Sequence, residues 1–129
     1  MAYGQSTKLF FDGGCRPNPG PIECAVVRKG FTHYRHDLGS GSNSDAEWLA
    51  AIDALEVAAQ NGDRDITLLG DSTLVVTQAN GTARCRSVEL EAHRAKFAEL
   101  AADFDRVRIR HIGRAQNLAG IALAKLHPR

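Results

Sequence analysis

The chain has 129 residues, of which 43% are hydrophobic and 24% are charged, and its formal net charge at pH 7 is +1. This length and composition are those of an ordinary globular protein and suit one domain with one core, predicted over residues 1–129. A net charge this close to zero excludes strong long-range steering, so a polyanionic ligand would need a local basic patch.

The first residues and the cysteines bear on the cellular compartment. "MAYGQSTK" lacks the apolar core of a signal peptide, and no apolar run is long enough to cross a bilayer. Cys15, Cys24 and Cys85 are odd in number and lack metal-type spacing, which favours reduced thiols. We therefore expect a cytoplasmic protein that does not bind membranes.

The order of predicted elements is βββαβααβα. Strands are predicted from apolar runs bounded by Gly, Pro and Asn, and helices from apolar residues at helical spacing. Gly30 is expected in a tight turn, and Ser42 or Asn43 is expected to cap the first helix. The predicted strands are residues 7–11, 22–29, 31–38, 66–70 and 106–112, and the predicted helices are residues 45–60, 72–79, 88–104 and 115–126. This order predicts a mixed α/β sheet.

Acidic residues follow two of the predicted strands. Asp12 ends the first apolar run and Asp71 follows "LLG", although either could simply cap the turn that comes next. Ligands bind beyond the carboxyl ends of parallel strands, and neighbouring strands lie about 4.8 Å apart. Two carboxylates placed there can share one ion.

A third acid, Glu47, lies in the first turn of the predicted helix, where the helix dipole alone also favours a negative charge. Asp45, Asp53 and Glu56 are expected on the solvated face of that helix. Converging carboxylates are the usual ligands of Mg²⁺ or Mn²⁺, and two such ions suit phosphodiester hydrolysis.

Four segments then occur in order: "FFDGGCRPNPGP", "SNSDAEWLAAIDALE", "LLGDSTLVVTQ" and "RHIGRAQNLAGIALA". They resemble the successive motifs of type 1 ribonuclease H, over residues 9–124. The resemblance implies a ribonuclease H-like fold, with a five-stranded mixed sheet, its first three strands antiparallel, flanked by helices. It also implies an endonuclease that uses Mg²⁺ or Mn²⁺ to hydrolyse the RNA strand of RNA–DNA hybrids, with no obligate protein partner.

The same resemblance assigns the candidate site by position. Asp12, Glu47 and Asp71 match the first three metal-binding, catalytic carboxylates. Other positions match those that contact the hybrid, although serine and threonine are less usual at two of them. These positions are Gly13, Gly14, Cys15, Asn18, Asn43, Ser44 and Thr73.

The last motif departs from the family pattern. The family places a fourth carboxylate four residues after an asparagine that matches Asn117, and this chain has Ile121 there. A count of about 100° per residue puts Ile121 away from the apolar stripe of the last helix. Asn117 is expected mainly to cap that helix, with a possible helper role at the metal.

The chain also has fewer basic residues for binding the nucleic-acid substrate than many family members have. Where many family members carry a basic helix and loop, residues 80–93 offer only Arg84 and Arg86, so the chain resembles the compact members that lack this handle. Three functions stay open: an active ribonuclease H, a hybrid- or duplex-RNA-binding module with weak or no cleavage, and a nuclease of different substrate preference on the same fold.

Overall fold

The computed structural model describes residues 6–127. Residues 1–5, which belong to the segment expected to lack a signal peptide, and residues 128–129 lie outside this range. The strands are β1 (Thr7–Cys15), β2 (Gly20–Arg28), β3 (Phe31–Arg35), β4 (Ser40–Gly41), β5 (Asp65–Gly70) and β6 (Arg106–His111). The helices are α1 (Asn43–Gln60), α2 (Thr73–Ala79), α3 (Val88–Ala101) and α4 (Leu118–Lys125), and residues Arg114–Gln116 form a 3₁₀ turn.

The sheet is mixed, as predicted. Its strand order is β3-β2-β1-β5-β6, with β1, β2 and β3 antiparallel and with β5 parallel to both β1 and β6. The two-residue β4, which pairs with β2, is an addition that the sequence pattern did not predict. None of the helices within residues 6–127 has the length and apolar character needed to span a bilayer.

Helices cover the two faces of the sheet unequally. Alternate residues of a strand point to opposite faces, so Leu9 and Phe11 join the main core under α1, while Phe10 packs with Ala25 under α4. The main core also receives α2 and α3, and Trp48 of α1 is fully buried in it. The short α4 packs on β1 and β2 from the other side.

Two predicted boundaries were wrong in ways that affect the site. The first strand does not end at Phe11 but continues to Cys15, because its antiparallel pairing with β2 runs through Cys15 and Ile22. The last helix begins at Leu118 rather than at residue 115, since Asn117 has an extended backbone and caps it. The expected turn at Gly30 is confirmed, with φ values of 48° at Lys29 and 83° at Gly30.

Candidate active site

The parallel pairing of β1 and β5 sets the positions of two carboxylates. Its last paired residues are Phe10 and Leu69, and Asp12 and Asp71 each lie two residues further along their chains. Asp12 therefore lies within β1 rather than after it, but beyond the part of β1 that β5 covers. This register confirms the expectation that the two acids lie together at the carboxyl ends of the parallel strands.

The N-terminal part of α1 brings Glu47, the fifth residue of the helix, to the same place. Glu47 Oε1 accepts a hydrogen bond of 2.9 Å from the backbone N–H of Gly13, the neighbour of Asp12. A Cβ atom at Gly13 would lie 2.1 Å from the carbonyl oxygen of Ala46, so only glycine lets α1 approach β1 this closely. The glycine after Asp12 thus has a packing role that positions Glu47.

Together the three side chains form a potential metal centre. One carboxylate oxygen each from Asp12, Glu47 and Asp71 lies within 4.8 Å of the others. They lie in an open cleft of about 720 Å³. An all-oxygen donor set of this kind is the type that hard divalent cations bind, so the residues fit such an ion.

The electrostatics of the cleft favour a cation. Burial, followed by the charge of Asp71, raises the pKa of Asp12 to about 6, and Arg114 partly offsets this rise. Burial, followed by the charge of Asp12, raises the pKa of Glu47 to about 9. The carboxylates therefore repel one another when all are ionised, and a bound divalent cation would relieve that repulsion.

Next to the acids, a hydrogen-bond network orders the turn after β1. Asn43 Oδ1 accepts hydrogen bonds from the backbone N–H and the thiol of Cys15, at 3.2 and 3.3 Å. Asn18 Oδ1 accepts one of 3.0 Å from the backbone N–H of Asn43. Gly13, Gly14, Cys15 and Asn43 line the cleft, while Asn18 is joined to it through this network. Cys15 is only 6% exposed, so it mainly supports the turn.

Two other expected contact residues lie away from the cleft lining. Ser44 is half-buried in the first turn of α1, and Thr73 is the exposed first residue of α2. The nearby Ser42 caps α1 in a capping box with Asp45, which also accepts a hydrogen bond from His93 Nε2. The expectation that Asp45 lies on a solvated face was therefore wrong.

The start of α4 closes the cleft opposite Glu47. Asn117 is fully buried, its Nδ2 donates to the carbonyl of Phe11 at 3.0 Å, and its Oδ1 accepts from Ala119 N–H at 3.1 Å. One end of the amide thus bonds β1 and the other bonds the first turn of α4, which confirms that Asn117 caps this helix. Ile121 is 41% exposed and lines the cleft, off the buried side of α4.

The sequence analysis missed three charged residues that line the cleft. They are Arg16 in the turn after β1, Arg114 after β6 and Glu23 on β2. Asp53 was expected in solvent but is only 5% exposed, because β3 brings Arg35 over it, with Arg35 Nη1 3.4 Å from Asp53 Oδ1. The pairing register of β1 and β2 would have indicated that Glu23 lies near Asp12. The contact between Arg35 and Asp53 could not be predicted in this way, because it depends on how β3 lies against α1.

Comparison with known proteins identifies the family. Residues 28–127 match a family model described as reverse transcriptase-like. The crystal structure of RNase H1 from Halobacterium salinarum superposes with a TM-score of 0.84 at 36% identity, covering 94% of this chain and 99% of that one. The chain belongs to the type 1 ribonuclease H family. LC11-RNase H1, solved in complex with an RNA/DNA hybrid, gives a TM-score of 0.76 at 27% identity, covering 88% of this chain and 89% of that one.

The curated relatives of this ribonuclease H family member are longer. Ribonuclease HI of Halobacterium salinarum is 38% identical over 126 residues, which is 94% of this chain. The chain spans 63% of the length of that relative.

Proposed function

We propose that this protein is a metal-dependent endonuclease that hydrolyses the RNA strand of RNA–DNA hybrids. The observation that carries the proposal is the convergence of Asp12, Glu47 and Asp71 from β1, α1 and the end of β5, with ligand atoms within 4.8 Å. The hybrid-bound structure of LC11-RNase H1, a member of the same family, supports the choice of substrate. Residues 1–129 are proposed to form a single domain of this kind.

The three acids are proposed to hold Mg²⁺ or Mn²⁺ in the cleft. Such ions, when bound, lower the pKa of water and stabilise the leaving oxygen of a phosphodiester. The chain's own contribution is to fix the carboxylates: Gly13 N–H holds Glu47, and Asn117 holds the strand segment that leads into Asp12. Arg114 lies near enough to Asp12 to lower its pKa, and it supplies positive charge for a phosphate beside the acids.

The turn after β1 is proposed to contact the RNA strand. In the Cys15–Asn18–Asn43 network both amide oxygens accept hydrogen bonds from protein groups. Asn18 and Asn43 are exposed, and their amide NH₂ groups donate no hydrogen bond within residues 6–127. These donors suit the oxygen atoms of a 2′-hydroxyl, the group that distinguishes RNA from DNA. Gly13 and Gly14 let the backbone approach, and Ser44 and Thr73 would contact more distant parts of the hybrid.

A second candidate function is a nucleic-acid-binding module with weak or no cleavage. The specific observation in its favour is Ile121, an isoleucine exposed on the wall of the cleft where the family pattern has a carboxylate. Three remaining acids are still enough to hold one ion, so we favour activity.

A cleavage assay separates these functions from a nuclease of different preference. End-labelled RNA–DNA hybrid, duplex RNA, duplex DNA and single strands are incubated in parallel with Mg²⁺ or Mn²⁺. Cleavage confined to the RNA strand of the hybrid, and lost in Asp71→Asn, is expected. Binding without cleavage under both metals would support the second candidate, and preferred cleavage of another substrate would contradict the hybrid assignment.

A further inference from the structure

A hydrogen-bonded contact between His127 and Glu23 connects the end of the described chain to the cleft. His127 Nε2 lies 2.8 and 2.6 Å from the two carboxylate oxygens of Glu23, although 104 residues separate them in sequence. The Glu23 side chain is only 17% exposed. Glu23 also lines the cleft that holds Asp12, Glu47 and Asp71, and is the fourth carboxylate in its lining among residues 6–127.

The strand register places Glu23 near the three acids. Asp12 pairs with Ala25, and Gly14 pairs with Glu23, so Asp12 and Glu23 lie on one face of the sheet, diagonally across β1 and β2. Diagonal neighbours have Cα atoms about 7–8 Å apart, within reach of long side chains. Two-cation sites hold their ions about 3.5–4 Å apart. A glutamate at this position can therefore reach an ion next to the one that Asp12 binds.

The wall of the cleft that α4 forms lacks a ligand. Ile121 lines the cleft from α4 and cannot bind a cation, and Gly120 beside it has no side chain. A Cβ at Gly120 would lie 3.4 Å from Asp12 Oδ2, which shows how closely α4 approaches the acids. The side of a cation facing α4 would thus have no carboxylate from that helix, whereas β2 offers one.

We propose that Glu23 supplies the fourth carboxylate of this cleft, in place of the acid that α4 lacks at position 121, and that His127 positions it. This inference rests on the proposed function, because it assumes that Asp12, Glu47 and Asp71 bind divalent cations. It assigns the metal-binding role to a residue of β2, whereas the family pattern places the fourth carboxylate on the last helix.

His127 is suited to positioning. Its backbone N–H bonds the carbonyl of Ala124 at 3.2 Å, which fixes the residue to the end of α4. Each oxygen of an ionised carboxylate has two acceptor sites, so Glu23 can keep its bond to His127 while it faces a cation. Ligating carboxylates are commonly held by such outer hydrogen bonds, and loss of the outer partner typically costs about 10–100-fold in metal affinity.

The test is calorimetric titration of the metal-free protein with Mn²⁺, which needs no cleavage. Glu23→Gln is expected to weaken Mn²⁺ binding about tenfold or more, and His127→Ala about tenfold. His127→Gln keeps an N–H donor and should bind nearly as the wild type does. Glu89→Gln, which removes an exposed acid on α3, is the matched control and should change nothing.

A double variant tests whether Glu23 takes the place of the missing acid of α4. Ile121→Asp in the Glu23→Gln background should restore Mn²⁺ affinity, because an acid from α4 would then serve in place of Glu23. If Glu23→Gln binds Mn²⁺ as the wild type does while Asp71→Asn does not, the inference is wrong and the proposed function stands. If Asp71→Asn also binds normally, both fail. If circular dichroism shows that Glu23→Gln does not fold, the two His127 variants decide. Equal Mn²⁺ affinities of His127→Ala and His127→Gln would then overturn the proposal.

Discussion

Replacing Asp12 with asparagine should abolish cleavage and at the same time make the metal-free protein more stable. The pKa of Asp12 is raised from 3.8 to about 6 by burial and by the charge of Asp71, so its ionised form destabilises the folded state. Asparagine is nearly isosteric and carries no charge. Its side-chain NH₂ group can donate a hydrogen bond to the neighbouring Glu47 carboxylate.

The magnitude follows from the pKa. A rise from 3.8 to about 6 corresponds to about 3 kcal/mol at about 1.4 kcal/mol per pH unit. Solvent screening in an open cleft reduces this, so we expect a gain of about 1–3 kcal/mol at pH 8. For a domain of this size that is a rise in Tm of about 4–12 °C.

The sign depends on pH. In the unfolded chain the carboxyl ionises near pH 4, and in the folded protein near pH 6, so the wild type loses stability as the pH rises between these values. The gain from Asp12→Asn should therefore be absent below about pH 4 and large above about pH 7. It should grow further toward pH 9, because Asp12 is the main charge that raises the pKa of Glu47 to about 9.

The assay is thermal unfolding in chelator from pH 4 to 9, followed by cleavage of labelled hybrid. Asp103→Asn, an exposed acid, is the control and should show no pH-dependent gain. Added Mn²⁺ should stabilise the wild type and not Asp12→Asn. A variant that is less stable at pH 8, or equally shifted at pH 4 and pH 8, would refute the electrostatic reasoning.

Three further predictions concern the last motif and the substrate. Ile121→Asp should raise activity more with Mg²⁺ than with Mn²⁺, since Mg²⁺ demands near-ideal octahedral geometry; an unchanged Mn²⁺-to-Mg²⁺ rate ratio in a folded variant would mean that residue 121 does not face the ions. Hybrid affinity, measured by fluorescence anisotropy, should fall about tenfold or more between 50 and 200 mM salt, because Arg16 and Arg114 are the basic residues of the cleft; a flat response would exclude phosphate contacts. Asn117→Ala should destabilise the protein by about 1–3 kcal/mol in urea unfolding and lower kcat, because it leaves the buried Phe11 carbonyl without its donor; an unaltered midpoint would contradict that role.

The sequence predicted the parts of the site that depend on local rules. Asp12 and Asp71 could be placed together because both follow apolar runs in the sequence, and carboxyl ends of parallel strands share one edge of a sheet. The Ser42 cap and the turn at Gly30 follow from similarly local chemistry. Helix boundaries were less accurate where a side chain had a distant partner, as Asn117 has in the carbonyl of Phe11.

The rest depended on contacts between segments far apart in sequence. Asp53 has the spacing of a solvated residue, but α1 has the sheet on one side and α3 on another, and Arg35 of β3 covers what remains. In the sequence, Glu23 looks like any polar strand residue, and only the β1–β2 register places it diagonally across from Asp12. Likewise, the contact of His127 with Glu23 depends on where α4 ends. A missing carboxylate at position 121 therefore does not by itself indicate a lost activity. The metal-binding capacity of the cleft depends on every carboxylate that the fold brings to it, and these include one from β2.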